Sequence, residues 1–184
     1  MFTHTTAMFG GSHIPSGLFP IEQEIVEALR SSGQQAYREE WSTDSWTRKA
    51  INDQLLSLAD QHGFACFSKG LVGEWLFDLV WVDTKPDASG QGYDWTQTRG
   101  LALACESEWK NGDEQELLWD FFKLTFAVAN LRLFIYTNAP LGDGKHPVDR
   151  CKQVCPLSRG FRYLTIGFPL DGKSGEFRVD AWTA

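Results

Sequence analysis

An apolar run, Leu101–Ala104, leads into Glu106, Glu108 and Lys110, three charges spaced by two. Side chains of a strand alternate between two faces, so this spacing sets all three charges on one face. A second acid interrupts another apolar run: Asp78 stands between Phe77 and Leu79 within residues 74–83. On a strand there, Leu76, Asp78, Val80 and Val82 share a face, and a carboxylate among them is costly unless paired, hydrogen-bonded or bound to a cation. If the two strands are neighbours, Asp78 falls beside Glu106 or Glu108. Such converging carboxylates either hold a hard cation, Mg2+ or Mn2+, through one or two carboxylates, or form a salt-bridged cluster with Lys110 or an Arg. Lys123, in the run DFFKL, adds a third component. It either snorkels to solvent or pairs with Asp120 at i,i+3, or it points at the same carboxylates or a phosphate they engage.

These residues need elements to hold them. Residues 20–33 read as a helix that starts near Pro20 and stops at Gly33. Residues 44–63 read as a second helix, with Trp46, Ala50, Ile51, Leu55, Leu58 and Ala59 as its apolar stripe. Strands are expected over 64–68, 74–83 and 99–109, with a Gly/Pro/Asp-rich loop over 84–98. A mostly apolar helix follows over 113–131, with Asp113 and Glu116 in a capping-box pattern, and then a strand over 131–138. A loop is expected to about 159, and two strands joined by DGKSG end the chain. Three strands in series imply an antiparallel meander. The strand–helix–strand step implies a crossover to a parallel neighbour. The fold class is therefore α/β (α+β), a mixed central sheet flanked by helices with a C-terminal hairpin.

The totals fit one domain over residues 1–184, with an irregular stretch over 1–18. At 42% hydrophobic and 14% aromatic, the chain can build a substantial core. The net charge of −7 argues against a basic surface overall, although a local patch survives such an average. No segment has the roughly twenty apolar residues of a membrane span, and the first residues lack the basic start and apolar core of a signal peptide. The expected location is cytoplasmic. Cys66 and Cys105 sit in strand-like apolar runs. Cys151 and Cys155, spaced C-x3-C near His146, lack the second pair of a zinc site and read as two loop thiols.

An Asp on one strand, acid-x-acid or acid-x-Lys on the next, then a helix and a strand, resembles the PD-(D/E)XK nuclease superfamily. Residues 44–138 match the α-β-β-β-α-β core order of its restriction-endonuclease-like fold. The resemblance implies a nuclease that cuts phosphodiesters with Mg2+ or Mn2+, with nucleic acid, DNA first, as substrate. Two registers stay open. In one, Asp78 joins Glu108 and Lys110 as the E-x-K pair; in the other, Glu106 is the acid and Glu108 replaces the lysine. Some family members carry the lysine on the following helix, where Lys123 stands, and we favour Glu106 and Glu108 supported by Lys123. Asp78, Glu106 and Glu108 are the implied metal ligands. Phe77 departs from the motif's Pro. Glu24, Glu27 and Asp53 are further ligand candidates whose default is a solvated helix face. Arg48, Lys49, Lys69, Lys85, Lys145, Arg150, Lys152 and Arg159 are candidate phosphate contacts, and Tyr93 and Trp95 candidate base-stacking rings. Double-strand cutting usually needs two sites, so the resemblance is compatible with a homodimer or a larger complex. The alternative is a catalytically inactive nuclease-like fold serving as a binding or structural subunit of a larger complex.

Overall fold

The computed structural model describes residues 11–69, 76–109, 114–141, 143–155, 160–169 and 176–184. Helix α1 (Pro20–Arg38) starts where the Phe19 backbone N–H donates to Glu22 Oε2 at 2.8 Å, with Pro20 at its first position. It runs past Gly33, the residue expected to end it. A Cβ there would collide with the Phe168 ring and lie 3.3 Å from Trp46, so this glycine serves close packing inside the helix and does not stop it. The second expected helix is divided. α2 (Thr43–Ser45) passes through a π-helical stretch, Trp46–Asn52, into α3 (Asp53–Gln61). Ser32 Oγ donates to the Ala50 carbonyl at 2.7 Å and ties the widened turn to α1.

The strands are β1 (Gly11–His13), β2 (Ala65–Ser68), β3 (Leu79–Asp83), β4 (Lys85–Pro86), β5 (Tyr93–Asp94), β6 (Gly100–Glu108), β7 (Ala129–Thr137), β8 (Arg162–Phe168) and β9 (Glu176–Thr183). Two helices separate the later ones, α4 (Glu114–Phe126) and α5 (Pro147–Val154). Seven strands form one mixed sheet in the order β1-β9-β8-β7-β6-β3-β2. β2, β3 and β6 make the antiparallel meander, and α4 carries the chain to a parallel β7. β8 and β9 are antiparallel, as a hairpin requires; the turn between them lies outside the described residues.

Four further features differ from the sequence reading. β3 begins at Leu79, so Asp78 precedes the strand and does not interrupt it. The expected loop 139–160 contains α5, started by Pro147 and by His146 Nδ1, which accepts from the Val148 N–H at 3.4 Å. α5 makes the β7-to-β8 connection a second parallel crossover. Gly11–His13 pairs with β9, although residues 1–18 read as irregular. The loop 84–98 holds the small β4–β5 ladder and a 3-10 turn, Trp95–Gln97.

Both faces of the sheet are buried, as parallel strands require. One face carries Leu79, Trp81, Leu103, Leu133 and Ile166 under α1 and α3. The other carries Val80, Ala104, Phe134 and Tyr163 under α4 and α5, which contribute Phe121, Leu124 and Cys151, with Cys155 just past the end of α5. These two thiols are therefore core residues, and burial raises the pKa of each. Among the described residues, no helix is long and apolar enough to cross a membrane.

Candidate active site at the end of strand β6

Three elements meet at the C-terminal end of β6. The β3–β6 ladder places Leu79 opposite Cys105, so Asp78 arrives beside Glu106 and Ser107. One Asp78 oxygen, Oδ2, accepts from the Ser107 backbone N–H at 2.9 Å and from Ser107 Oγ at 3.1 Å. The Asp78 carbonyl accepts from the Lys69 N–H at 2.9 Å. Asp78 is thus pinned between β2 and β6 and continues the sheet one residue beyond β3. Its carboxylate takes the place of the next ladder bond, which is how an acid is tolerated at this position.

Glu106 points into the α4 side of the sheet and is 1% exposed. Its Oε2 accepts from Lys123 Nζ at 2.8 Å, whereas its Oε1 is buried without a hydrogen-bond partner. Lys123 also pairs with Asp120 Oδ1 at 2.8 Å, so both the i,i+3 pair and the reach to the sheet are present. One ammonium serves two carboxylates, with a third, Asp78, close by. Burial, reinforced by the charges of Asp78 and Asp120 and opposed by the pull of Lys123, leaves the Glu106 carboxyl pushed up to about 8. Desolvation opposes the charge on Lys123, but hydrogen bonds and charge from Asp120 and Glu106 outweigh it and raise its pKa.

Glu108 ends β6 half-buried, in register with Tyr136 and on the same side as Glu106. Lys110 and Asp113 lie outside the described residues, so the Glu108-x-Lys110 register has only its first member here. Glu24, Glu27 and Asp53 belong to α1 and α3, on the opposite face of the sheet from Lys123, and are not ligands of this site. Glu24 faces His62 at 2.6 Å. Arg162, a potential occupant of the site, instead grips the buried Glu22 with contacts of 2.7 and 2.9 Å. Several candidate phosphate contacts are satisfied internally. Lys145 pairs with Asp143, Arg150 with Glu114 and Asp143, and Lys152 with Asp180. Arg159 lies outside the described residues.

Sequence reasoning passed over Arg132. Its side chain is fully buried and donates to the carbonyls of Leu124 at 2.7 Å, Ala129 at 3.3 Å and Ala127. Its guanidinium carbon lies 3.5 Å from the Phe161 ring centroid. Arg132 therefore closes the C-terminal end of α4 and fixes the helix that carries Lys123. The signal was available, because an Arg inside LRLFIYT must find acceptors within the core.

Among the described residues, no three His, Cys, Asp or Glu side chains are grouped so that they could hold a metal ion. Asp78 spends one oxygen on Ser107, and Lys123 closes one oxygen of Glu106. Comparisons with protein families, with curated proteins and with solved structures found no match for this chain.

Proposed function

We propose that the chain is a metal-dependent nuclease of the PD-(D/E)XK type, with Asp78, Glu106 and Lys123 at its centre and Glu108 beside them. One observation carries this reading: Glu106 is fully buried, has an unpartnered Oε1, and shares a single lysine with Asp120 next to Asp78. Three carboxylates and one ammonium leave an excess of two negative charges when all are ionised. Such an excess around the buried Glu106 is relieved by a proton or by a cation.

The donor chemistry fits Mg2+ or Mn2+. Both take oxygen ligands, and Mg2+ usually binds one or two protein carboxylates while keeping waters and substrate phosphates. Asp78 and Glu106 would hold the ion. When bound, the metal would acidify a water and neutralise charge developing on the phosphoryl group. The side chains have separate tasks. Lys123 steadies the phosphate as a fixed positive charge held at the carboxylates by Asp120. Glu108, at the C-terminal end of the strand, would accept a proton from the attacking water. The order α3, β2, β3, β6, α4, β7 supports the restriction-endonuclease-like reading of the core.

A second reading has its own observation. Lys123 neutralises Glu106 without any metal, so the cluster can stand as a structural ion pair in an inactive, nuclease-like binding module. Cleavage assays separate the two. Wild-type protein with Mg2+ or Mn2+ is expected to cut single-stranded DNA, duplex DNA or RNA, and Asp78→Asn and Glu106→Gln to lose at least a hundredfold in rate while remaining folded. No metal-dependent cleavage of any of the three would leave the structural reading.

A further inference from the structure

The β4–β5 lobe presents two exposed aromatic rings on the same side of the sheet as the acidic site. Tyr93 is 39% exposed and Trp95 52% exposed. Both rest on Phe67, which is buried in the α4-side core, with centroids 5.5 Å from each. Phe67 pairs with Val80, two residues along the chain from Asp78. With strand rises of about 3.3 Å and strand spacings of about 4.8 Å, the Phe67 Cα lies about 8 Å from that of Asp78. The rings are therefore anchored on the core within a few nucleotides of the carboxylates. Internal bonds stiffen the lobe: Thr84 Oγ1 donates to the Asp94 carbonyl at 3.0 Å, and the Asp94 carboxylate accepts from the Thr96 backbone N–H and from the Gln97 side-chain amide.

Charge separates the occupants. The chain carries a net −7, and the cations of the α5 region are closed by carboxylates, so the described residues form no broad basic surface of the kind duplex binding draws on. Among the described residues, exposed Lys85 lies in the lobe, exposed Arg99 stands beside it near Asp83, and exposed Lys69 adjoins Asp78, which makes a short positive track. Bases with free faces make up such a deficit by stacking on aromatic rings. We propose that Trp95 and Tyr93 form a stacking platform for unpaired bases, so that the site takes single-stranded DNA in preference to duplex. This inference rests on the nuclease reading for its choice of ligand.

The test is binding of fluorescein-labelled dT12 and of a 12-base-pair duplex to full-length protein in Ca2+ buffer, alongside Mg2+ cleavage of both. Trp95→Ala is expected to weaken dT12 binding about tenfold, consistent with about 1–3 kcal/mol per stacked base. Duplex binding is expected to change less than twofold. Trp95→Phe, which keeps the packing on Phe67, is expected to retain most dT12 affinity and to guard against loss through unfolding. Equal dT12 affinity in wild type and Trp95→Ala, an equal loss for duplex, or binding of neither probe would overturn the platform. Cleavage that persists with an unaltered dT12 affinity would sink the platform and leave the nuclease reading intact. Loss of dT12 binding in Trp95→Ala, from a protein that never cleaves, would do the reverse.

Discussion

Replacing Glu106 by Gln should stabilise the protein in alkaline solution and do almost nothing in acid. The Glu106 carboxyl binds its proton more tightly in the folded protein, where its pKa is about 8, than in the unfolded chain, where it is near 4.5. The sign follows from linkage. Below pH 4.5 the group is protonated in both states, and its contribution to stability is fully present. That contribution is lost as the pH rises through about 8, because folding then requires a buried anion. At roughly 1.4 kcal/mol per pH unit, the interval gives a ceiling of about 5 kcal/mol, and sharing of Lys123 between Glu106 and Asp120 places the expected value at about 3–5 kcal/mol. Gln mimics the protonated acid: its amide oxygen can accept from Lys123 and its amide nitrogen takes the orphan position. The assay is urea denaturation of both proteins in EDTA from pH 4.5 to 9, read as mutant minus wild type, so that other titrating groups cancel. A difference below about 0.5 kcal/mol at pH 4.5 that grows to about 3–5 kcal/mol above pH 8 is expected. A wild type as stable as Glu106→Gln at pH 8.5 would refute the reasoning, because Lys123 would then fully compensate the buried charge.

Two further perturbations test the supports of the site. Arg132→Met keeps bulk but removes the donor from three carbonyls, Leu124 in the last turn of α4, Ala127 in the link to β7 and Ala129 at the start of β7, and should cost about 3–5 kcal/mol in urea unfolding. A cost below 1 kcal/mol would mean that solvent or backbone rearrangement replaces Arg132. Gly33→Ala should destabilise by about 1–3 kcal/mol, although Ala is normally the better helix former, because its methyl meets Phe168. A rise in melting temperature would show that Phe168 yields freely.

The meander and the first crossover were legible because their strands are apolar runs of the right length, bounded by Gly, Pro and Asp. The pairing of Asp78 with the Glu106 strand followed from that order. Three things were not legible. α5 has only eight residues, and its buried positions, Pro147, Val148 and Cys151, are too few to announce a helical period. β1 gains its pairing from β9, a partner distant in the chain, and GSH carries no alternation of its own. The π-helical turn at Trp46–Asn52 keeps Ala50 and Ile51 buried, so the stripe reads like that of a regular helix. At the site, residue types and spacing placed Asp78, Glu106 and Lys123 together. That Asp78 would be held by Ser107, and that Lys123 would be divided between Glu106 and Asp120, depended on tertiary approach.

The central claim is that the Asp78–Glu106–Lys123 cluster holds a divalent cation for phosphodiester chemistry. The most direct measurement is isothermal titration of Mn2+ into wild type and into Glu106→Ala, each with and without oligonucleotide. Saturable binding of one or two ions to wild type, abolished in Glu106→Ala while both proteins remain folded, is the predicted result. Absence of Mn2+ binding to wild type, even with oligonucleotide present, would contradict the account and leave these acids as structural partners of Lys123.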